Sequence, residues 1–121
     1  MPEQNKTNKL YNLEDRTLEF SKRVANMCNA LPKNYINIVY INQILRSGSS
    51  IGANYIEANE SLGKKDFKMK VRIARKEAKE TTYWLNLIID ANPEFRKRIE
   101  PLLQESIEIR NILSTIINKS N

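Results

Sequence analysis

Lys64–Ile89 reads KKDFKMKVRIARKEAKETTYWLNLII, and three kinds of residue recur along it at helical spacing. Phe67, Val71, Ala74, Ala78, Thr81, Leu85 and Ile88 follow one another at alternating intervals of four and three, the seam of a helix packed against neighbours. Turned by about 100° per residue, Lys64, Lys65, Lys68, Arg72, Arg75, Lys76 and Lys79 gather on one side of that seam, with Lys70 alone elsewhere. Met69, Ile73, Trp84 and Leu87 gather with Asp66, Glu77 and Glu80 on the other side. One helix thus carries a core stripe, a basic stripe, and a second apolar stripe edged with acid.

The same alternation recurs to either side. Leu13, Thr17, Phe20, Val24, Met27 and Leu31 form a seam that opens at Asn12 and Asp15, which resemble a capping box, and stops at Pro32. A second seam runs through Ile41, Ile44, Gly48, Ile51, Tyr55 and Ala58, with Gly63 as the expected C-terminal stop. From Ser47 to Ala53 every residue but Ile51 is small, which lets a neighbouring backbone approach closely. The last seam is Leu102, Ser106, Ile109, Leu113 and Ile116, and Pro101 reads as a first-turn residue or a kink after a short turn at Glu94–Ile99. Short connections between four amphipathic segments predict an all-α fold, an antiparallel up-down-up-down four-helix bundle. Its helices are expected near 13–31, 35–60, 64–91 and 94–118, with the bundle spanning 12–119 behind a flexible N-terminal segment, 1–11.

Composition narrows the function. The 121 residues suit one domain, and 3 Gly with 4 Pro leave little room for the turns of a β-sandwich or barrel. No apolar run is long enough to predict a membrane span, and the polar opening MPEQNKTNK predicts no signal peptide. The lone Cys28 excludes an internal disulfide and suits a reducing, cytoplasmic setting; beside the first seam it is expected to be a buried small hydrophobe. With His absent, Ser-His-Asp and Cys-His catalysis, His-ligated zinc and the Glu-x-x-His di-iron pattern all fall away. Gly48-Ser49-Ser50-Ile51-Gly52 matches the G-x-S-x-G nucleophile elbow, but that motif needs a strand-turn-helix context and a histidine base. Glu57/Glu60 and Glu77/Glu80 have the spacing of bundle metal ligands; ion pairing, for Glu77 and Glu80 with Lys76 and Lys79, is the simpler expectation. The sequence therefore predicts no catalytic residue, no metal site, no cofactor and no enzyme.

Charge points to a partner instead. Lys64 to Lys79 holds eight basic and two acidic residues, a surplus equal to the +6 of the whole chain. Cations stacked at i, i+4 without acids between them repel, which a merely solubilising face would avoid by mixing signs. The stripe therefore predicts an anionic partner, with nucleic acid ahead of membrane lipid. It lacks aromatics apart from Tyr83 at its edge, so phosphate contacts and little sequence specificity are expected. The second apolar stripe, Met69, Ile73, Trp84 and Leu87, is wider than a four-helix core needs and predicts self-association.

Three blocks carry a family resemblance: RSGSSIGANYIEA (Arg46–Ala58), KKDFKMKVRIARKEAKETTYWLNLI (Lys64–Ile88) and ESIEIRNILSTII (Glu105–Ile117). Together they resemble the four-helix-bundle family named for proteins encoded in 23S rRNA intervening sequences, whose members include relatives of the accessory variability determinant protein of diversity-generating retroelements. The resemblance implies a bundle that assembles into a ring, a homopentamer in the better-known members, with a basic surface suited to nucleic acid; the nucleic acid expected here is RNA ahead of DNA. It also implies, in the retroelement branch, a reverse-transcriptase partner. Placed on this chain, the nucleic-acid positions are Lys64, Lys65, Lys68, Arg72, Arg75, Lys76 and Lys79, and Trp84 with its neighbours lies at subunit contacts. The competing expectation is a scaffold whose only partner is protein, itself or a polymerase-like enzyme.

Overall fold

The computed structural model describes residues 12–120, so the expected flexible segment 1–11 lies outside the described residues. The described chain is all-α: α1 (Leu13–Ala30), α2 (Tyr35–Asn59), α3 (Lys64–Ala91), a 3-10 turn (Pro93–Phe95) and α4 (Arg96–Lys119). The helices pack in a cycle, α1 on α2, α2 on α3, α3 on α4 and α4 back on α1, with the broadest contacts at α2–α3 and α3–α4. Along α1–α2, Glu14 meets Asn59 and Ser21 meets Gly48. Along α2–α3, Asn37 meets Asn92, Ser47 meets Thr81 and Glu57 meets Lys70. Along α3–α4, Arg75 meets Ser114 and Thr82 meets Ser106. In each pair one number falls as the other rises, a register compatible with the up-down-up-down order.

Local chemistry sets the helix ends. The Asn12 side chain accepts from the Asp15 amide at 3.2 Å and starts α1; Asn34 accepts from the Asn37 amide at 2.9 Å and starts α2. Pro32 follows the extended Leu31, and Lys33 folds back so that its Nζ donates to the carbonyls of Cys28, Asn29 and Leu31 at 2.9, 3.2 and 2.6 Å. A cation placed there satisfies orphan carbonyls and meets the negative end of the helix dipole.

Two expectations need correction. Gly63 does not stop α2, which ends with Glu60 at φ −97°; it sits in extended backbone as the N-cap of α3. No left-handed residue is required, because Glu60 and Ser61 turn their amides back onto the last carbonyls of α2. Pro101 is neither in the first turn nor after a turn at Glu94–Ile99. The 3-10 turn is Pro93–Phe95, α4 begins at Arg96, and Pro101 lies inside it on the solvent side. Its missing N–H leaves one bond to the Lys97 carbonyl unmade where water can replace it.

The seams form the core. Phe20, Ile44, Ile51, Leu85, Ile88, Ile99, Ile109 and Leu113 are among its fully buried side chains, and truncating one of the aliphatic members to Ala costs about 2–5 kcal/mol. At the end of α4 the buried residue is Ile117 rather than Ile116, which is half-buried. The small stretch of α2 has a specific cause at Gly52: a Cβ there would lie 2.8 Å from Thr17 Oγ1 and 3.1 Å from Thr17 Cβ. At one end of the bundle Asn37 and Asn92 are both buried and exchange amide hydrogen bonds at 2.8 and 2.9 Å. Their remaining N–H groups donate to the Pro32 and Ile88 carbonyls, each at 2.9 Å, so the pair is buried with its donors satisfied.

Candidate nucleic-acid interface

The two flanks of α3 meet different neighbours. On the α2 side, Arg46 bridges Glu77 at 3.3 Å and Glu80, whose carboxylate also accepts from the Trp84 indole N–H at 3.0 Å. Trp84 is half-buried, with its ring centroid 6.0 Å from Tyr40 of α2 and 5.3 Å from Tyr83. Lys70 pairs with Glu57 of α2 at 2.9 Å, a hydrogen bond that raises the lysine above its ordinary range. Glu77 and Glu80 therefore pair across the helices with Arg46, not with Lys76 and Lys79 as the sequence suggested. Of the second apolar stripe, Met69 is 53% exposed while Ile73, Trp84 and Leu87 are half-buried.

The α4 side is built differently. Arg72, Arg75, Lys76 and Lys79 form one wall of an open groove of about 420 Å³, and Arg110 and Ser114 of α4 form the other. Arg75 Nη1 donates to Ser114 Oγ at 3.4 Å. No carboxylate lines the groove, and none of Arg72, Arg75, Lys76, Lys79 or Arg110 forms an ion pair among the described residues. Lys64, Lys65 and Lys68 continue the basic series toward the start of α3, outside the groove, and they too form no ion pair among the described residues. Lys70, the one basic residue of this stretch off the stripe, is the one with a carboxylate partner.

Arg110 was not among the residues singled out from sequence. It follows Ile109 of the fourth seam directly, and with α3 and α4 in falling register it lies opposite Lys79; the signal needed was the pairing of two helices rather than the pattern of one. Arg16, Arg46 and Arg96, by contrast, are engaged with carboxylates. Arg16 forms a two-point pair with Glu105 at 2.7 and 2.8 Å and reaches Glu108 at 3.0 Å. Those hydrogen bonds raise Arg16 above the usual arginine range, and bonds from Gln104 and Arg16 lower Glu108.

The remaining candidates take structural places. Ser50 Oγ donates to the Arg46 carbonyl at 2.7 Å inside α2, a helix back-bond and not an elbow. Cys28 is buried, and burial pushes its thiol up to about 11. No group of three or more His, Cys, Asp or Glu is placed to hold a metal among the described residues. No described helix is long and apolar enough to cross a membrane.

Comparison with known proteins agrees with this architecture. The model of the 23S rRNA-intervening sequence protein family matches residues 10–115. The fold is similar to the crystal structure of a protein of unknown function from the S23 ribosomal protein family of Bacteroides thetaiotaomicron. The two are 41% identical with a TM-score of 0.78, over 86% of this chain and 96% of that one. No curated protein matches the chain. A heptad-seamed helical fold and a family match over nearly the whole length lead to one conclusion: the chain belongs to the 23S rRNA-intervening sequence protein family.

Proposed function

We propose that this chain is a non-enzymatic nucleic-acid-binding protein, an antiparallel up-down-up-down bundle that acts on RNA rather than DNA through the α3–α4 groove. The observation that carries this is the groove's charge: five cations from two helices face solvent with no carboxylate among them. Holding like charges together costs a few tenths of a kcal/mol per i, i+4 pair, and a polyanion that fills the groove reverses that cost while releasing its own counterions. Sequence specificity is low, because lysines and arginines on phosphates position a strand without reading bases. The protein acts in the cytoplasm, in keeping with its single buried thiol.

The test is binding of a labelled structured RNA across a salt series, read by fluorescence anisotropy. The expected result is a log–log fall in affinity of about 0.9 for each paired-strand phosphate contacted. Absence of binding at low salt refutes the proposal.

A second reading has its own support. Apart from Arg46 and Glu57, both paired to α3, α2 carries no charge, and its outer face exposes Tyr35, Ile36, Ile38, Val39, Leu45 and Ile56. An uncharged face of that kind suits protein contact. It supports a homo-oligomer, the pentamer implied by the family resemblance, or a scaffold for a protein such as a reverse transcriptase. Met69, Ile73, Trp84 and Leu87 contribute to the subunit contact in this reading. Light scattering of the purified protein decides whether it self-associates.

A further inference from the structure

We infer that the α3–α4 groove grips one strand of a base-paired nucleic acid by its phosphates alone, with Arg110 and Ser114 of α4 forming half of the grip. The inference rests on the nucleic-acid reading above and adds the form of nucleic acid and the residues of the second wall. Arg72, Arg75 and Lys79 line the groove at intervals of three and four residues along α3; at 1.5 Å per residue they span about 10 Å, room for about three phosphates of one strand at roughly 3.4 Å each along the helix axis. Packed helices lie about 8–10 Å apart, so the groove between them takes a sugar–phosphate chain edge-on rather than a strand with its bases spread. Arg75, bonded to Ser114 at 3.4 Å, is held in place before any ligand arrives. Arg110 lines the same groove from α4, so a strand laid in it would meet guanidinium groups from both walls, which favour forked hydrogen bonds to phosphate.

What the groove lacks selects the ligand. No aromatic side chain lines it. Trp84 is turned to the other flank against Tyr40, and Tyr83, exposed about one turn beyond Lys79, lies outside the groove lining and packs edge-on to Trp84. General single-strand binders give unpaired bases an aromatic platform, worth about 1–3 kcal/mol per base; here unpaired bases would find none. Bases already stacked in a double helix need no platform, and their backbone is all the groove has to meet.

Anisotropy with the full chain decides it, using an RNA duplex of about 16 base pairs against oligouridine carrying the same number of phosphates. The duplex is expected to bind roughly tenfold more tightly. Arg110→Glu should weaken duplex binding roughly tenfold and lower the salt slope by about one unit, whereas Lys22→Glu, the same charge change on the exposed side of α1, should leave both nearly unchanged. Arg110→Gln repeats the test without reversing charge should the first variant misfold. Oligouridine binding as tightly as the duplex overturns the inference and leaves the nucleic-acid reading standing. Equal effects of the Arg110 and Lys22 variants remove α4 from the grip. If neither nucleic acid binds at low salt, the broader reading falls and this one falls with it.

Discussion

The α2-facing and α4-facing flanks of α3 differ by whether their charges have partners. On the α2 side Glu77 and Glu80 share Arg46, Lys70 holds Glu57, and the Trp84 N–H is satisfied by Glu80. On the α4 side Arg72, Arg75, Lys76 and Lys79 face Arg110 with no carboxylate between them. Exposed ion pairs are worth only about 0–1 kcal/mol each, so the paired flank owes its stability to burial around Trp84 more than to its charges. What separates the flanks is charge pairing, not charge content: the α2-facing flank ties its charges into the fold, and the α4-facing flank leaves its cations unpaired among the described residues.

The harshest way to break this contrast is Lys68→Glu with Arg72→Glu and Arg75→Glu. RNA affinity should fall roughly a thousandfold, at about tenfold per site, while helicity by circular dichroism and the Tm do not drop. A collapsed fold would show that the flank is structural after all. Trp84→Ala should do the reverse, lowering stability to urea by about 3 kcal/mol through lost packing on Tyr40 and the core while RNA binding of the folded fraction persists. Arg46→Ala tests pairing without much packing. Its head is half exposed, and Glu77 and Glu80 stay partly solvated, so about 1 kcal/mol is expected.

A last effect, confined to high pH, concerns a buried group on neither flank. Folding favours the protonated Cys28 thiol, whose pKa rises from 9.0 to about 11. Its contribution is therefore intact below pH 9 and is lost as the pH climbs through 11. Denaturation of Cys28→Ala beside the parent chain across that window should show a shallower decline for the variant, since every other titration is common to both.

Most of the fold was legible because burial imposes a period. Val71, Ala74, Ala78, Thr81, Leu85 and Ile88 are all buried, as their spacing requires, and only Phe67 in the first turns of α3 is left half-covered. The misplaced features are those decided by one turn of backbone. Gly63 suits a helix stop and a helix start equally well by composition, and only the chain direction at Glu60 separates the two. Pro101 was tolerated inside α4 because its orphaned carbonyl faces water, which periodicity does not report. In the candidate site, four cations of the groove came from one helix and were visible in its pattern. Arg110 required knowing which helix lies alongside, and so did the choice of Arg46 as partner for Glu77 and Glu80.

The buried Asn37–Asn92 pair joins the two connections at one end of the bundle, since Asn37 also holds the Pro32 carbonyl and Asn92 the last turn of α3. The opposite end has the short Glu60–Gly63 link, with Leu62 fully exposed, and among the described residues its side-chain ties, Glu14 to Asn59 and Glu57 to Lys70, are solvent-exposed. Stability is therefore graded along the long axis of the molecule. Amides around Asn37 and Ile88 should exchange with deuterium only on global unfolding, whereas those at the end of α2 and the first turn of α3 should exchange by local opening. The chain comes apart from one end, and the end that stays closed is set by two side-chain amides.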